Sequence, residues 1–171
     1  DKNVGTGKTV TVNSITLADG SNGGLAANYS ISTGQTTTAN VTAKALTVSG
    51  ITASNKVYDS TTNATTTLSL SGLIGSETIN NTNSSTFDNK NIGTGKTVTV
   101  NSLTLVDGSN GGLASNYSIS SGQTTTANVS ARPLTVSNIS ASNKSYDGTT
   151  AVTLDTSNVS YNGLVSGDDF S

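Results

Sequence analysis

Gly5-Thr-Gly-Lys-Thr-Val-Thr-Val-Asn-Ser-Ile-Thr-Leu17 and Gly93-Thr-Gly-Lys-Thr-Val-Thr-Val-Asn-Ser-Leu-Thr-Leu105 differ at a single position. In each stretch the two valines alternate with threonine, so they share one face of an extended strand. The next two apolar residues have the opposite parity, which predicts a β-bulge near Asn13-Ser14 and its copy. This alternation predicts an all-β fold.

The similarity extends well beyond these two stretches. Asp1–Thr62 aligns without a gap on Asn89–Thr150, at an offset of 88 residues, with 13 differences in 62 positions. The match then loosens, because Gly72-Leu73 finds its counterpart three residues out of phase at Gly163-Leu164. A period of 88 exceeds the roughly 20–50 residues of a solenoid coil and suits an independent β-sandwich domain. We therefore expect Ig-like or Greek-key β-sandwich repeats of about 88 residues, arranged end to end.

Alternating β-branched residues and turn signals predict where the strands lie. No apolar stripe with a period of 3.6 residues occurs, so no helix longer than one turn is expected. The predicted strands, each with a counterpart about 88 residues later, are Lys8–Leu17, Asn28–Ser32, Thr36–Thr42, Leu46–Thr52 and Thr65–Leu70.

Composition excludes several functions. The chain has no Cys, His, Trp or Met, and its one glutamate is Glu77. Because thiolate and imidazole chemistry is thereby removed, we predict that the chain is not an enzyme and holds no cofactor. With 11% charged residues, a net charge of −2 and scattered cations, nucleic-acid binding is not expected. No apolar run approaches the roughly 20 residues that span a bilayer, so membrane insertion is not expected either. The lack of cysteine suits both a reducing cytosol and a very long secreted protein.

An ordered set of short motifs covers the chain. Leu46–Thr62 and its copy Leu134–Thr150, which contains Tyr146-Asp147-Gly148, resemble the opening of YDG-type repeats, a family related to MBG repeats. Gly163–Asp169, and less closely Gly72–Glu77, match the Gly-Leu-x-x-Gly-Asp stretch that follows in the family. The next blocks are Asn-Lys-Asn-Ile-Gly-Thr-Gly-Lys, then Asn-Tyr-Ser-Ile, then Ala-Asn-Val-Ser-Ala-Arg-Pro-Leu-Thr-Val. Ser60 stands where the family name motif has glycine.

The resemblance implies a domain phase and a biological role. In the family's phase, residues 1–44 are the second half of a preceding repeat, 45–131 form one complete repeat, and 132–171 are the first half of a following repeat. A half repeat alone would leave its inner face exposed. Such repeats are stalk modules of filamentous-haemagglutinin-like bacterial surface adhesins.

The implied function is a non-catalytic spacer that carries a distal binding tip away from the cell surface. The implied location is extracellular, either attached to the outer membrane or secreted, and a role in biofilms fits it. Neighbouring repeats of the same chain are the expected partners, and host or matrix glycans or proteins would be bound through other domains. Two alternatives stay open at this point: a self-associating extracellular matrix fibre, and repeats that each bind a glycan or matrix component weakly.

Two groups of residues are candidate sites. Tyr58-Asp59 and Tyr146-Asp147-Gly148 are interpreted as a structural motif, in which the tyrosine anchors a loop and the aspartate bonds its own turn. Ligand contact is the alternative for these tyrosines. The adjacent carboxylates Asp168 and Asp169 are candidates for calcium. The loops Asp19–Gly24 and Asp107–Gly112 offer a single carboxylate each and are interpreted as glycine-rich turns.

Overall fold

The computed structural model describes residues 1–170 and confirms the all-β class. The two helical segments, Ala26–Asn28 and Ala114–Asn116, are single 3-10 turns. The fifteen strands are β1 Gly5–Thr11, β2 Thr36–Val41, β3 Lys44–Ala45, β4 Thr47–Ala53, β5 Lys56–Val57, β6 Asn63–Ala64, β7 Thr66–Ser71, β8 Ile79–Phe87, β9 Gly93–Asp107, β10 Tyr117–Ser118, β11 Thr124–Ser130, β12 Thr135–Ser137, β13 Ser140–Ala141, β14 Leu154–Asp155 and β15 Ser160–Asn162.

The strands form one five-stranded sheet and five two-stranded pairs. Its order is β5-β11-β9-β8-β6, with β11 antiparallel to β9 and parallel to β5. The pairs are β1-β2, β4-β7, β12-β15 and β13-β14, together with the parallel pair β10-β3. The pair β1-β2 is the duplicate of β9-β11, and it repeats their register, with Lys8 opposite Ala39 as Lys96 is opposite Ala127.

The chain divides into two compact units. One contains Asp1–Thr47, Leu70–Thr82 and Thr104–Ser120, and the other contains Val48–Ser69, Asn83–Leu103 and the residues from Ser121 onward. The predicted boundary after residue 44 lies inside the first unit, and the predicted boundary after residue 131 lies inside the second. Each unit thus includes one of the two junctions expected between repeats, and the repeat boundaries themselves stay a prediction.

Among residues 1–170, every buried residue lies between residues 46 and 129. In the second unit, Phe87, Val98, Ala127 and Val129 form the core cluster, and Ala53, Tyr58 and Ala64 pack against it. Burial of such side chains contributes roughly 25 cal/mol per Å² of apolar surface, so this cluster stabilises the second unit.

Duplicated residues differ sharply in exposure. Val98 is fully buried, whereas its counterpart Val10 is 45% exposed. Tyr117 is 7% exposed and its counterpart Tyr29 is 70% exposed. The local sequence is the same, so the difference arises from what covers each copy: β9 has β8 along its other edge, and β1 pairs with β2 alone.

Most strand predictions agree with the structure, and three do not. Of the three, the counterpart of Thr65–Leu70 forms a strand only at Leu154–Asp155. The first copy of the long strand ends at Thr11 rather than Leu17, because it has no neighbour equivalent to β8; the second copy, β9, continues to Asp107. In β9 the buried parity does switch, since Val98 and Val100 are buried and the next partly buried residue is Leu103. The predicted strand Asn28–Ser32 is absent; its counterpart β10 forms by pairing with β3, and this partner is lacking in the first copy.

Strand β8 was not predicted, because its sequence Ile-Asn-Asn-Thr-Asn-Ser-Ser-Thr-Phe has large apolar residues only at its ends. Its inward polar residues Asn83 and Ser85 form hydrogen bonds, whereas Phe87 at its end packs in the apolar core cluster. The Thr66 and Ser85 hydroxyls lie 2.7 Å apart, and the Thr66 hydroxyl donates to Asn83 Oδ1, also at 2.7 Å. Buried polar groups are tolerated when paired in this way.

Candidate functional site: tyrosine and carboxylate contacts

The Glu77 carboxylate lies in the turn that follows β7 and is the centre of a polar contact in the first unit. Its Oε2 accepts a hydrogen bond from the Tyr117 hydroxyl at 2.6 Å, and its Oε1 accepts one from Lys2 Nζ at 3.0 Å. The Tyr117 hydroxyl in turn accepts a bond from the backbone N–H of Ile74 at 3.2 Å. The tyrosine bond, followed by the lysine, lowers the pKa of Glu77, and the same carboxylate raises the pKa of Tyr117. Glu77 is therefore held as a carboxylate by two donors from distant parts of the sequence.

Asn116 ties the same two segments together beside this carboxylate. Its Oδ1 accepts a hydrogen bond from the backbone N–H of Val4 at 2.9 Å, and its Nδ2 donates to Asn3 Oδ1 at 3.0 Å. Residues 1–4 precede the predicted boundary after residue 44, and Asn116 follows it. These contacts therefore join the two sides of the first predicted junction.

Asp168 occupies the corresponding place in the second unit. Its Oδ2 accepts a hydrogen bond from the Tyr58 hydroxyl at 2.9 Å, and Lys90 Nζ lies 4.0 Å from its Oδ1. Lys90 is the copy of Lys2, and Asp168 stands at the Glu77 position of the Gly-Leu-x-x-Gly stretch. A carboxylate from one side of each predicted junction thus faces a lysine from the other side.

The Tyr-Asp turns carry the same local network twice. Asp59 Oδ1 accepts bonds from Lys56 Nζ at 2.8 Å and from the N–H and hydroxyl of Thr61, both at 2.9 Å. Asp147 has the equivalent bonds from Lys144 and Thr149 at 2.8 and 2.9 Å. Ser60 and Gly148, the residues that follow, share a positive φ of 62° and 72°, which glycine adopts without strain.

Acid is expected to weaken the Asp59 turn. The Lys56 bond, followed by the Thr61 backbone N–H, lowers the pKa of Asp59 from 3.8 to about 2. A depressed folded-state pKa contributes stability that is present above pH 3.8 and lost as the pH falls toward 2. Urea denaturation at several pH values should show stability falling over this window, with a smaller fall in Asp59→Asn. Asp169→Asn, at an exposed position, is the matched control, and an equal effect of both substitutions would contradict the assignment.

Removing the Tyr58 hydroxyl is expected to have a measurable cost. Tyr58→Phe deletes the bond to a partly buried carboxylate, which should reduce the free energy of unfolding by about 1 kcal/mol. Tyr146→Phe is the matched control, because Tyr146 is 97% exposed and should leave the stability of the dilute protein unchanged. Thermal denaturation followed by circular dichroism measures both, and equal midpoints would show that the bond contributes nothing.

The calcium candidates are only partly free for a metal. Asp168 is engaged with Tyr58 and Lys90, whereas Asp169 is exposed. Within residues 1–170 no three His, Cys, Asp or Glu side chains gather closely enough to hold a metal ion. The calcium assignment at Asp168 and Asp169 stays a prediction, and an ion bound there would compete with the tyrosine and the lysine.

Sequence reasoning proposed Tyr58 and Asp168 separately and did not predict that they meet. It also missed Glu77, Tyr117 and the paired lysines as a contact site. The sequence feature that could have identified this contact site is Glu77, the one glutamate, which stands at the acidic end of the Gly-Leu-x-x-Gly stretch. Which residues this end would face depends on long-range packing, which the motif does not specify.

The described residues form an all-β chain. Within each unit, segments that carry repeated sequence motifs contact one another through tyrosine and carboxylate side chains. Along the part of the chain that is described, no helix has the length and apolar character to cross a membrane. A family model, the YDG domain, matches residues 42–127 and again residues 130–171. The chain belongs to the YDG domain family. No curated protein and no solved structure matches it.

Proposed function

We propose that this chain is part of the stalk of a large secreted bacterial surface adhesin, in which tandem YDG domains act as a non-catalytic spacer. Each domain would be an Ig-like sandwich of about 88 residues, joined end to end with its neighbours. The distal binding tip and its host or matrix ligand would belong to other domains. The proposal places the chain outside the cell, on the bacterial surface.

The observation that supports this most is the contrast between duplicated residues. Val98 and Tyr117 are buried, whereas Val10 and Tyr29, with the same local sequence, are exposed. An apolar side chain is favourable in a strand only when a neighbour covers it, at about 1.5–3 kcal/mol for full burial of a large one. In an array, the counterparts of β8 and β5 from the same repeat would cover β1 and β2. The exposed valines are thus explained as one half of a repeating unit.

The recurring junction adds a second argument. The lysine and carboxylate pairs Lys2-Glu77 and Lys90-Asp168 each join residues from the two sides of a predicted boundary. A contact that recurs with the period of the sequence can be propagated along many repeats. Such a regular joint between neighbours suits a spacer, whose reach is set by the number of units.

Chains lengthened by whole periods test the spacer directly. One or two further copies of residues 45–132 would be inserted after Arg132, which keeps the 88-residue phase. Small-angle scattering should show the maximum dimension rising by a constant increment of about 30–35 Å per copy, the length of a ten-residue strand. A dimension that grows as the cube root of the mass would indicate one globule and would overturn the proposal.

Two other roles remain to be separated from the spacer. If each repeat binds a glycan weakly, a chain with several repeats would bind an immobilised glycan more tightly than one repeat does. A glycan array probed with the lengthened chains would therefore detect this binding. A self-associating matrix fibre is favoured by one observation, the exposed Val10 and Val41 on the pair β1-β2, which has no further strand beside it. Light scattering against concentration detects this association.

A further inference from the structure

A polar cavity of about 260 Å³ lies against the Asp59 turn in the second unit. The residues that contribute polar groups to its lining include Ser54, Asn55, Asp59, Asn63 and Thr65. Ala64 and Phe87 form an apolar part of its wall. All of these residues lie within the predicted complete repeat, residues 45–131, so a single repeat supplies the cavity.

Backbone hydrogen bonds fix the walls of this cavity. The Ser54 N–H donates to the Thr65 carbonyl at 3.0 Å, which ties two sides of the cavity together. The Phe87 N–H donates to the Thr62 carbonyl at 2.8 Å, and Lys56 Nζ lies 5.5 Å from the centre of the Phe87 ring. The cavity is therefore preorganised, which reduces the ordering cost of binding a ligand.

The Lys56 ammonium shapes the cavity but is not available to a ligand. Its Nζ donates to Asp59 Oδ1, to the carbonyl and hydroxyl of Thr61 and to the Asn63 carbonyl, at 2.8 to 3.1 Å. An ammonium has three donors, so these acceptors use all of its capacity. The Asp59 carboxylate balances its charge. The cavity thus offers no uncommitted cation to an anionic ligand.

Three other groups of the lining have free hydrogen-bonding capacity. Asp59 Oδ1 accepts the bonds from Lys56 and Thr61, and within residues 1–170 no protein group donates to Asp59 Oδ2. Asn63 and Thr65 are exposed, and no other side chain or backbone group of the described residues bonds to their side chains. A carboxylate oxygen accepts, whereas an amide and a hydroxyl both donate and accept.

This combination fits one neutral sugar residue. The hydroxyls of a sugar donate and accept, as the free groups of Asp59, Asn63 and Thr65 do, and its C–H face suits the apolar wall. The volume lies just below the roughly 300–1,000 Å³ of cavities for drug-sized ligands, so there is room for about one such residue. A hard metal ion fits less well, because it requires several oxygen ligands and the cavity has one carboxylate.

The second Tyr-Asp turn forms a cavity from corresponding residues. That cavity, of about 330 Å³, is lined by residues that include Ser142, Asn143, Lys144, Asp147 and Thr153. Ala151 stands in the place of Asn63 there. The turn therefore creates a cavity in both copies, and the side-chain amide is particular to the one at Asp59.

We propose that the cavity at the Asp59 turn binds one neutral sugar residue of a glycan, through Asp59 Oδ2, the Asn63 amide and the Thr65 hydroxyl. The Tyr-Asp turn then has a binding role in addition to its structural one. A site with so few bonds would be weak, with a Kd on the order of 1 mM, and repetition along a chain would multiply its effect. The meeting with a glycan rests on the proposed extracellular location, whereas the site does not depend on the spacer role.

Nuclear magnetic resonance of the whole chain tests the site. The probes are the methyl glycosides of glucose, galactose, mannose and N-acetylglucosamine, each added up to about 20 mM, well above the expected Kd. At least one of them should shift the amide resonances of Asn55, Asp59 and Asn63 in a saturable manner. Resonances elsewhere in the chain should stay in place.

Two substitutions in the lining test the assigned groups. Asn63→Ala and Thr65→Val should each weaken binding of the active glycoside about fivefold, because each removes one hydrogen bond. Both positions are exposed, and circular dichroism checks that the variants are folded. Thr67→Val, at an exposed position two residues beyond Thr65, is the matched control and should leave binding unchanged.

The outcomes separate this inference from the spacer proposal. If no glycoside shifts these resonances, the inference is overturned, and the scattering of the lengthened chains still decides the spacer. Shifts that persist unchanged in Asn63→Ala and Thr65→Val also overturn it. If ethylammonium chloride shifts the same resonances and no glycoside does, the cavity is a cation site at Asp59 instead. Shifts by a glycoside that weaken in these two variants and not in Thr67→Val support it.

Discussion

Val98→Ala is expected to lower the free energy of unfolding by about 2–3 kcal/mol, since it leaves a cavity in the core cluster of Phe87, Ala127 and Val129. Val10→Ala, at the duplicated position, is expected to change it by less than about 0.5 kcal/mol, because Val10 lies half-exposed on β1. The two substitutions are chemically identical and stand in the same local sequence. The difference between the two losses of stability therefore measures how well neighbouring strands cover each position, and not the intrinsic β-propensity of the sequence.

Urea denaturation followed by far-ultraviolet circular dichroism measures both variants. Because the chain forms two compact units, hydrogen exchange at the amides of β9 and β1 should accompany it, so that the loss is assigned to the right region. Similar losses in the two variants would show that β1 is as well covered as β9, which would contradict the half-repeat explanation.

Gly112→Ala is expected to be strongly destabilising, by about 3 kcal/mol, the upper part of the range for overpacked sites. A β-carbon on Gly112 would overlap the Thr78 carbonyl oxygen, and Gly108 is enclosed by the same residue. The Thr78 backbone is fixed there, since its N–H donates to the Ser109 carbonyl at 3.1 Å and its hydroxyl accepts from the Ser109 N–H at 2.7 Å. The loop has no room to move away without losing these bonds.

Gly24→Ala is the matched control for this loop, because no atom lies within 4 Å of a β-carbon placed there. Its turn is otherwise the same: the Gly20 N–H donates to the Gly24 carbonyl at 2.8 Å, as Gly108 does to Gly112 at 2.9 Å. Thermal denaturation should show a large fall for Gly112→Ala and little change for Gly24→Ala. Tolerance of alanine at residue 112 would mean that Thr78 does not pack against this loop.

The local features of the fold were predictable because they depend on neighbours in sequence. The alternation of Val98 and Val100, the parity switch before Leu103 and the turn at Asp107 all follow from residue type and spacing. The aspartate of that turn accepts the N–H of Ala114, seven residues on, at 2.7 Å. The all-β class follows from the same pattern.

Long-range features were not predictable from one sequence. The polar strand β8 gives no apolar alternation, and it is held by the Thr66, Asn83 and Ser85 bonds, whose partners are about 20 residues apart. The end of β1 at Thr11 was also missed, because a nearly identical sequence in β9 forms a strand twice as long once β8 lies beside it. Propensity was the same in both copies, and tertiary coverage decided the outcome.

The candidate site likewise combines local motifs that were predictable from sequence with a long-range contact that was not. The Tyr58 and Asp168 motifs were visible in the sequence, and each had a chemical interpretation of its own. Their meeting, 110 residues apart in sequence, requires the packing of two repeat segments and could not be read from either motif.

Hydrogen exchange on a lengthened chain tests the half-repeat claim most directly. Residues 45–88 would be placed before Asp1, which supplies the missing first half in the phase of the sequence and provides a copy of β8 for β1. We predict that the amides of Val10 and Val12 become as protected as those of Val98 and Val100. If they exchange as fast as in the original chain, while the added segment is present and folded, the claim that the halves complete one another is wrong.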